Sequence, residues 1–86
     1  MANFKYVITD EVGIHARPAG ELVKKVKDYV DTTIEIAKGD LKADAKKLFQ
    51  VLKLGVKKGE EVTVTIIGKD EEAVASELEA FFKDNL

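Results

Sequence analysis

Residues 62–66 read Val62-Thr63-Val64-Thr65-Ile66, five β-branched side chains in which apolar residues alternate with threonine. Branching at Cβ stiffens each side chain and suits it to a pleated strand, and the alternation puts Val62, Val64 and Ile66 on one face and the threonines on the other. A strand of this kind has one face to bury and edges to pair, so the remaining residues must supply further strands and a covering layer. The partners are legible. Phe4, Tyr6 and Ile8 recur at period two and predict a strand over residues 4–9; residues 32–36 alternate again, Lys38-Gly39-Asp40 supplies a turn, and residues 41–43 complete a hairpin.

Between these strands the period changes to that of a helix. Ala19, Leu22, Val23, Val26 and Val30 line one face of a helix predicted from residue 16 to about 29, with Glu21, Lys24, Lys25, Lys27 and Asp28 on the other faces. Leu48, Val51 and Leu52 give a second over 45–53, with Asp44 placed to accept its free amides and Gly55 as its stop. After Gly68-Lys69-Asp70-Glu71-Glu72, a turn, an N-cap candidate and two first-turn acids, Val74, Leu78, Phe81 and Phe82 mark a third helix that closes the chain. The order β-α-β-β-α-β-α predicts an α+β fold: an open-faced β-sandwich with a four-stranded antiparallel sheet and three helices on one face, formed by residues 1–86 as a single domain.

Eighty-six residues hold one thin core, so chemistry is expected at the surface rather than in a deep cavity. There is no cysteine, which removes disulfides, thiolate nucleophiles and Cys-based zinc sites, and one histidine cannot build a metal site alone; no cofactor is expected, and a cytoplasmic setting fits. Apolar runs reach three residues at most, arguing against a signal peptide or membrane insertion. Fourteen basic residues against 16 acidic ones disfavour a nucleic-acid partner. The lysine-rich stretch 42–58 could serve RNA locally, but the predicted strands offer only the inward-facing Phe4 and Tyr6 for stacking. Residues 70–86, by contrast, are strongly acidic.

The one histidine, one arginine and one proline of the chain stand together as His15-Ala16-Arg17-Pro18, while thirteen lysines serve elsewhere. His15 falls where the first strand has ended and the first helix begins, a cap position that ordinarily takes Ser, Thr, Asp or Asn. The amides of Ala16 and Arg17 are then free, and Pro18 in the first turn gives up an N–H that would have no partner anyway. A neutral imidazole nitrogen attacks phosphorus, and the resulting phosphohistidine would lie against the helix amides, the positive end of the helix dipole and the planar Arg17 guanidinium.

Gly13-Ile14-His15-Ala16-Arg17-Pro18-Ala19 resembles the active-site signature of the HPr family, the histidine-containing phosphocarriers of the bacterial phosphoenolpyruvate-dependent sugar phosphotransferase system, and Leu54-Gly55-Val56 with the Lys-Gly turn after it resembles that family's later segment. The resemblance spans essentially the whole chain. It implies that His15 accepts a phosphoryl group, at Nδ1, from enzyme I and passes it to sugar-specific enzyme IIA domains in sugar uptake, with Arg17 assisting. It also implies a monomer that acts as a co-substrate of phosphotransferases rather than as an enzyme, and a docking face comprising Ile14, Ala16, Arg17, Gly20, Lys24, Phe49, Leu52 and Lys53. Leu48 and Val51 satisfy the core stripe of the second helix, so Phe49 is expected to point outward.

Lys47 stands where many members from low-GC Gram-positive bacteria carry a regulatory serine, and residues 44–46 have no hydroxyl either, which argues against serine control and keeps Lys47 on a basic docking face. An adaptor of the same fold that docks partners without phosphotransfer is the alternative, and the presence of His15 and Arg17 counts against it.

Overall fold

A computed structural model describes residues 1–86. The elements are β1 (Ala2–Val7), α1 (Ala16–Val26), β2 (Thr32–Lys38), β3 (Leu41–Asp44), α2 (Leu48–Lys53), β4 (Glu61–Gly68) and α3 (Glu71–Asn85). The strands form one antiparallel sheet in the order β1-β4-β2-β3, so the residue 62–66 stretch lies centrally, paired on both sides. Val64 pairs with Phe4 on one side and Ile36 on the other. The fold is the α+β open-faced sandwich that the periodicities predict, with its helices over one face.

The buried side chains form one cluster, including Ile34, Ile36, Val62, Val64 and Ile66 from the sheet, Leu22 and Val26 from α1, Val51 from α2, and Val74, Leu78 and Phe82 from α3. Phe4 and Tyr6 are half-buried and meet the Phe82 ring edge-on, each with centroids 5.6 Å apart. That geometry favours the quadrupoles of both pairs and locks α3 onto the β1 edge.

Among the boundaries that differ from the sequence expectation, three have a physical cause in the contacts around them. β1 ends at Val7, two residues early, because Thr9 and Asp10 give their N–H groups to Leu86 O instead of to a strand. α1 stops at Val26 rather than about 29: Asp28 and Tyr29 donate to Lys25 O and Val26 O in a tightened last turn, and the Lys46 ammonium donates to Tyr29 O and Thr32 O at 2.8 and 2.7 Å. Val30, assigned to the apolar stripe, is therefore left 79% exposed. α2 starts at Leu48 and not at 45, because Asp44 ends β3; its Oδ1 accepts the Lys46 N–H and its carbonyl accepts the Lys47 N–H, both at 2.9 Å. Asp44 thus holds a turn, and Lys47 occupies the N-cap of α2 without a side-chain cap bond.

Candidate functional site

From Ile8 to the start of α1 the backbone is held on several sides. Ile8 N–H donates to Glu60 O at 3.0 Å, and Thr9 and Asp10 N–H both donate to Leu86 O, at 2.6 and 2.8 Å. Asp10 then closes a turn of the kind aspartate favours: Oδ1 accepts the Val12 N–H at 2.8 Å, and the carbonyl accepts the Gly13 N–H at 3.0 Å. Gly13 has φ +80°, and a Cβ there would collide with Val56 O. Only glycine fits so close to the loop after α2. Ile14 N–H donates to the same Val56 O at 3.0 Å, and its side chain is only 6% exposed. Ile14 is therefore an anchor in the core and not the docking residue expected from the sequence: the turn that presents His15 points the preceding side chain inward.

His15 is the N-cap of α1, with extended backbone (φ −115°, ψ −177°) and no side-chain cap bond; its carbonyl accepts the Ala19 N–H at 2.9 Å. The imidazole is about one-third exposed, and its one ion-pair neighbour is Asp10, with Nε2 3.8 Å from Oδ1. That separation is too long for a hydrogen bond. The first turn of α1 contains no acid, and Ala16 and Arg17 lie before the first residue that can donate within the helix. The Arg17 side chain is 70% exposed and its nearest acid is Glu21, with Nη1 to Oε1 3.8 Å, a surface pair of little strength. A nucleophilic nitrogen, two free amides and a weakly engaged guanidinium thus occur within one helical turn, a composition suited to holding a dianionic phosphoryl group in the open.

Of the other residues singled out from the sequence, Lys24 on α1 and Lys47, Phe49 and Lys53 on α2 are exposed, Gly20 and Leu52 are half-exposed, and nothing stands over Gly20. Phe49 is 78% exposed, as the position one step off the Leu48/Val51 stripe requires. α2 runs antiparallel to α1: its far end reaches Ile14 through Val56, while Lys46, just before it, reaches the far end of α1. Lys53 consequently lies toward His15, and Lys47 toward the opposite end of α1. The shallow surface depressions lie along β3 and α2, where Lys53 lines one of them, and between the end of α1 and the start of α3. Asp10 was not singled out from the sequence; its signal was an acid preceding the Gly13 turn.

The family model of the PTS HPr component phosphorylation site matches residues 2–84. The phosphocarrier protein HPr of Mycoplasma capricolum is 36% identical over 70 residues, covering 81% of this chain and 78% of its own; that of Mycoplasma genitalium is 29% identical over 85 residues, covering 99% and 97%. The solved structure of a mycoplasma histidine-containing phosphocarrier protein superposes with a TM-score of 0.91 at 30% identity, covering 96% of this chain and 93% of that one. No helix here is long and apolar enough to cross a membrane. With fold, length and signature in agreement, the chain belongs to the HPr family of phosphocarriers of the phosphotransferase system.

Proposed function

We propose that this chain takes a phosphoryl group from enzyme I onto His15 and delivers it to sugar-specific enzyme IIA domains, acting in the cytoplasm as a monomeric co-substrate. The observation that carries the reading is the use of the only histidine as a helix N-cap that makes no cap bond, followed by an exposed arginine and an acid-free first turn. An adaptor that only docks partners would have no use for the only histidine and the only arginine placed together at an acid-free helix start. An open site also suits the task, because transfer between two histidines is close to balanced and a deep, tight phosphate pocket would halt it. Arg17 assists the migrating oxyanion, Ala16 and Arg17 supply amides, and Gly20, Lys24, Lys47, Phe49, Leu52 and Lys53 form a basic face with an aromatic anchor for acidic partners.

The test is incubation with phosphoenolpyruvate and enzyme I followed by intact mass. One acid-labile, base-stable phosphoryl group is expected, absent from His15→Ala. A stable adduct on Ser or Thr, or full phosphorylation of His15→Ala, overturns the proposal.

A further inference from the structure

Asp10 Oδ1 stands 3.8 Å from Nε2 of His15, on the far side of the ring from Nδ1, and no other acid comes within ion-pair distance of the imidazole. The other charged groups around this end are otherwise engaged: Arg17 toward Glu21, and Glu11 with Lys58 at 2.9 Å. Asp10 is also held where it is. Its own N–H is bonded to Leu86 O and its carbonyl accepts the Gly13 N–H, which fix its backbone, and its Oδ1 accepts the Val12 N–H, which ties the carboxylate to the turn that presents the histidine. The side chain is about three-quarters covered, which limits screening by solvent.

A fixed negative charge facing one ring nitrogen favours the tautomer with its proton on that nitrogen, as an orienting carboxylate does for other histidines. We infer that Asp10 is a positioning residue that keeps the proton of neutral His15 on Nε2, leaving the Nδ1 lone pair free to attack, and that it balances the ring charge after transfer. The inference rests on the phosphorylation of His15 proposed above. When Nδ1 forms its bond to phosphorus, the bond from phosphorus to the donor breaks and its electron pair returns to the donor. The Nε2 proton stays in place, so the product is a phosphoimidazolium whose positive ring faces the Asp10 carboxylate. In the second transfer the acceptor's nitrogen forms its bond to phosphorus as the Nδ1–P pair returns to the ring, which departs as a neutral imidazole already carrying its Nε2 proton. No proton has to enter or leave.

Asp10→Asn tests this, because the amide oxygen can still accept the Val12 N–H while the charge is gone. Long-range proton–nitrogen NMR of unphosphorylated protein at about pH 9, above the imidazole range, reads the tautomer directly. The wild-type chain is expected to hold its proton on Nε2, and the Asn variant to drift toward the mixture of an unrestrained histidine. Single-turnover phosphoryl uptake from phosphorylated enzyme I should slow roughly tenfold in Asp10→Asn, with rescue by Asp10→Glu. A proton on Nδ1 in the wild-type chain overturns the inference without any variant, and so does an unchanged tautomer or an unchanged rate in Asp10→Asn. Because the tautomer is read on the unphosphorylated protein, these outcomes are distinct from failure of His15 to be phosphorylated, which the mass experiment reports.

Discussion

The two longest helices begin in opposite ways. α3 opens with Asp70, Glu71 and Glu72; one Glu71 oxygen accepts the Gly68 N–H at 2.7 Å and the other faces the Met1 amino group at 2.6 Å. α1 opens with His15, Ala16 and Arg17, without an acid in its first turn, and neither helix receives a cap bond from its N-cap side chain. The positive end of a helix dipole attracts anions, and α3 satisfies that demand from its own sequence while α1 leaves it to something external. The difference teaches how the proposed site can hold an anion without a cavity: α1 lacks the first-turn acids with which α3 meets its own dipole.

The largest effect is expected from giving α1 an ordinary cap. Serine at position 15 can accept the Arg17 N–H, so His15→Ser should raise unfolding stability by about 0.5–1 kcal/mol while phosphoryl uptake falls to nothing. Denaturant titration and intact mass on one sample measure both. Arg17→Lys comes next: lysine keeps the charge but loses the planar fork, so transfer should slow roughly tenfold to a thousandfold with stability almost unmoved. Equal rates in quench-flow would reduce Arg17 to a solvated side chain.

The origin of this contrast was legible in the sequence to an uneven degree. The acids at 70–72 and the caplessness of His15 can be read directly, as can β4 and the outward Phe49, because each depends on periodicity or local backbone chemistry. What escaped depends on long-range contacts. Asp10 meets His15 only because Leu86, at the opposite end of the chain, and Val56, after α2, fold the 8–14 segment into a loop. Ile14 turns inward for the same reason. The late start of α2 arises from competition, since Asp44 can cap a helix or finish β3, and pairing with Glu35 decides for the strand. Likewise α1 ends early because Thr32 must enter the sheet beside Gly68.

A third way to sharpen the comparison is to make α1 begin as α3 does. Ala16 and Glu71 are the first residues of their helices, and Ala16 is exposed. Ala16→Glu should stabilise the fold by about 0.3–1 kcal/mol through the dipole and slow phosphoryl uptake roughly threefold to thirtyfold by repelling the incoming dianion. Faster uptake would mean that the amino end of α1 is not where the charge is held. A smaller effect belongs to the start of α2, whose N-cap is Lys47. Lys47→Glu should lower the association rate with enzyme I roughly twofold to tenfold at low salt, with the difference fading as ionic strength rises. Stopped-flow binding at two salt concentrations checks it.

The smallest effect tests the self-sufficient helix end. The Met1 amino group first, and the Gly68 N–H second, hold the Glu71 carboxyl below the usual glutamate range. A lowered folded-state value means that the folded chain binds fewer protons than the unfolded one, so the stability this group contributes is fully present above the ordinary glutamate range and is lost as pH falls through the lowered value. Glu71→Gln removes the charge at every pH. Its melting temperature should therefore lie slightly below that of the wild-type chain near neutrality, and the two curves should converge as the medium becomes acidic enough to protonate Glu71 in the folded state. Because this helix end is remote from His15, phosphoryl uptake at neutral pH should match the wild-type rate. Parallel melting curves that never converge would show that Glu71 acts through shape rather than charge, and a slowed uptake would show that the two helix ends are coupled, which removes the basis for treating α1 alone as the end left open to an anion.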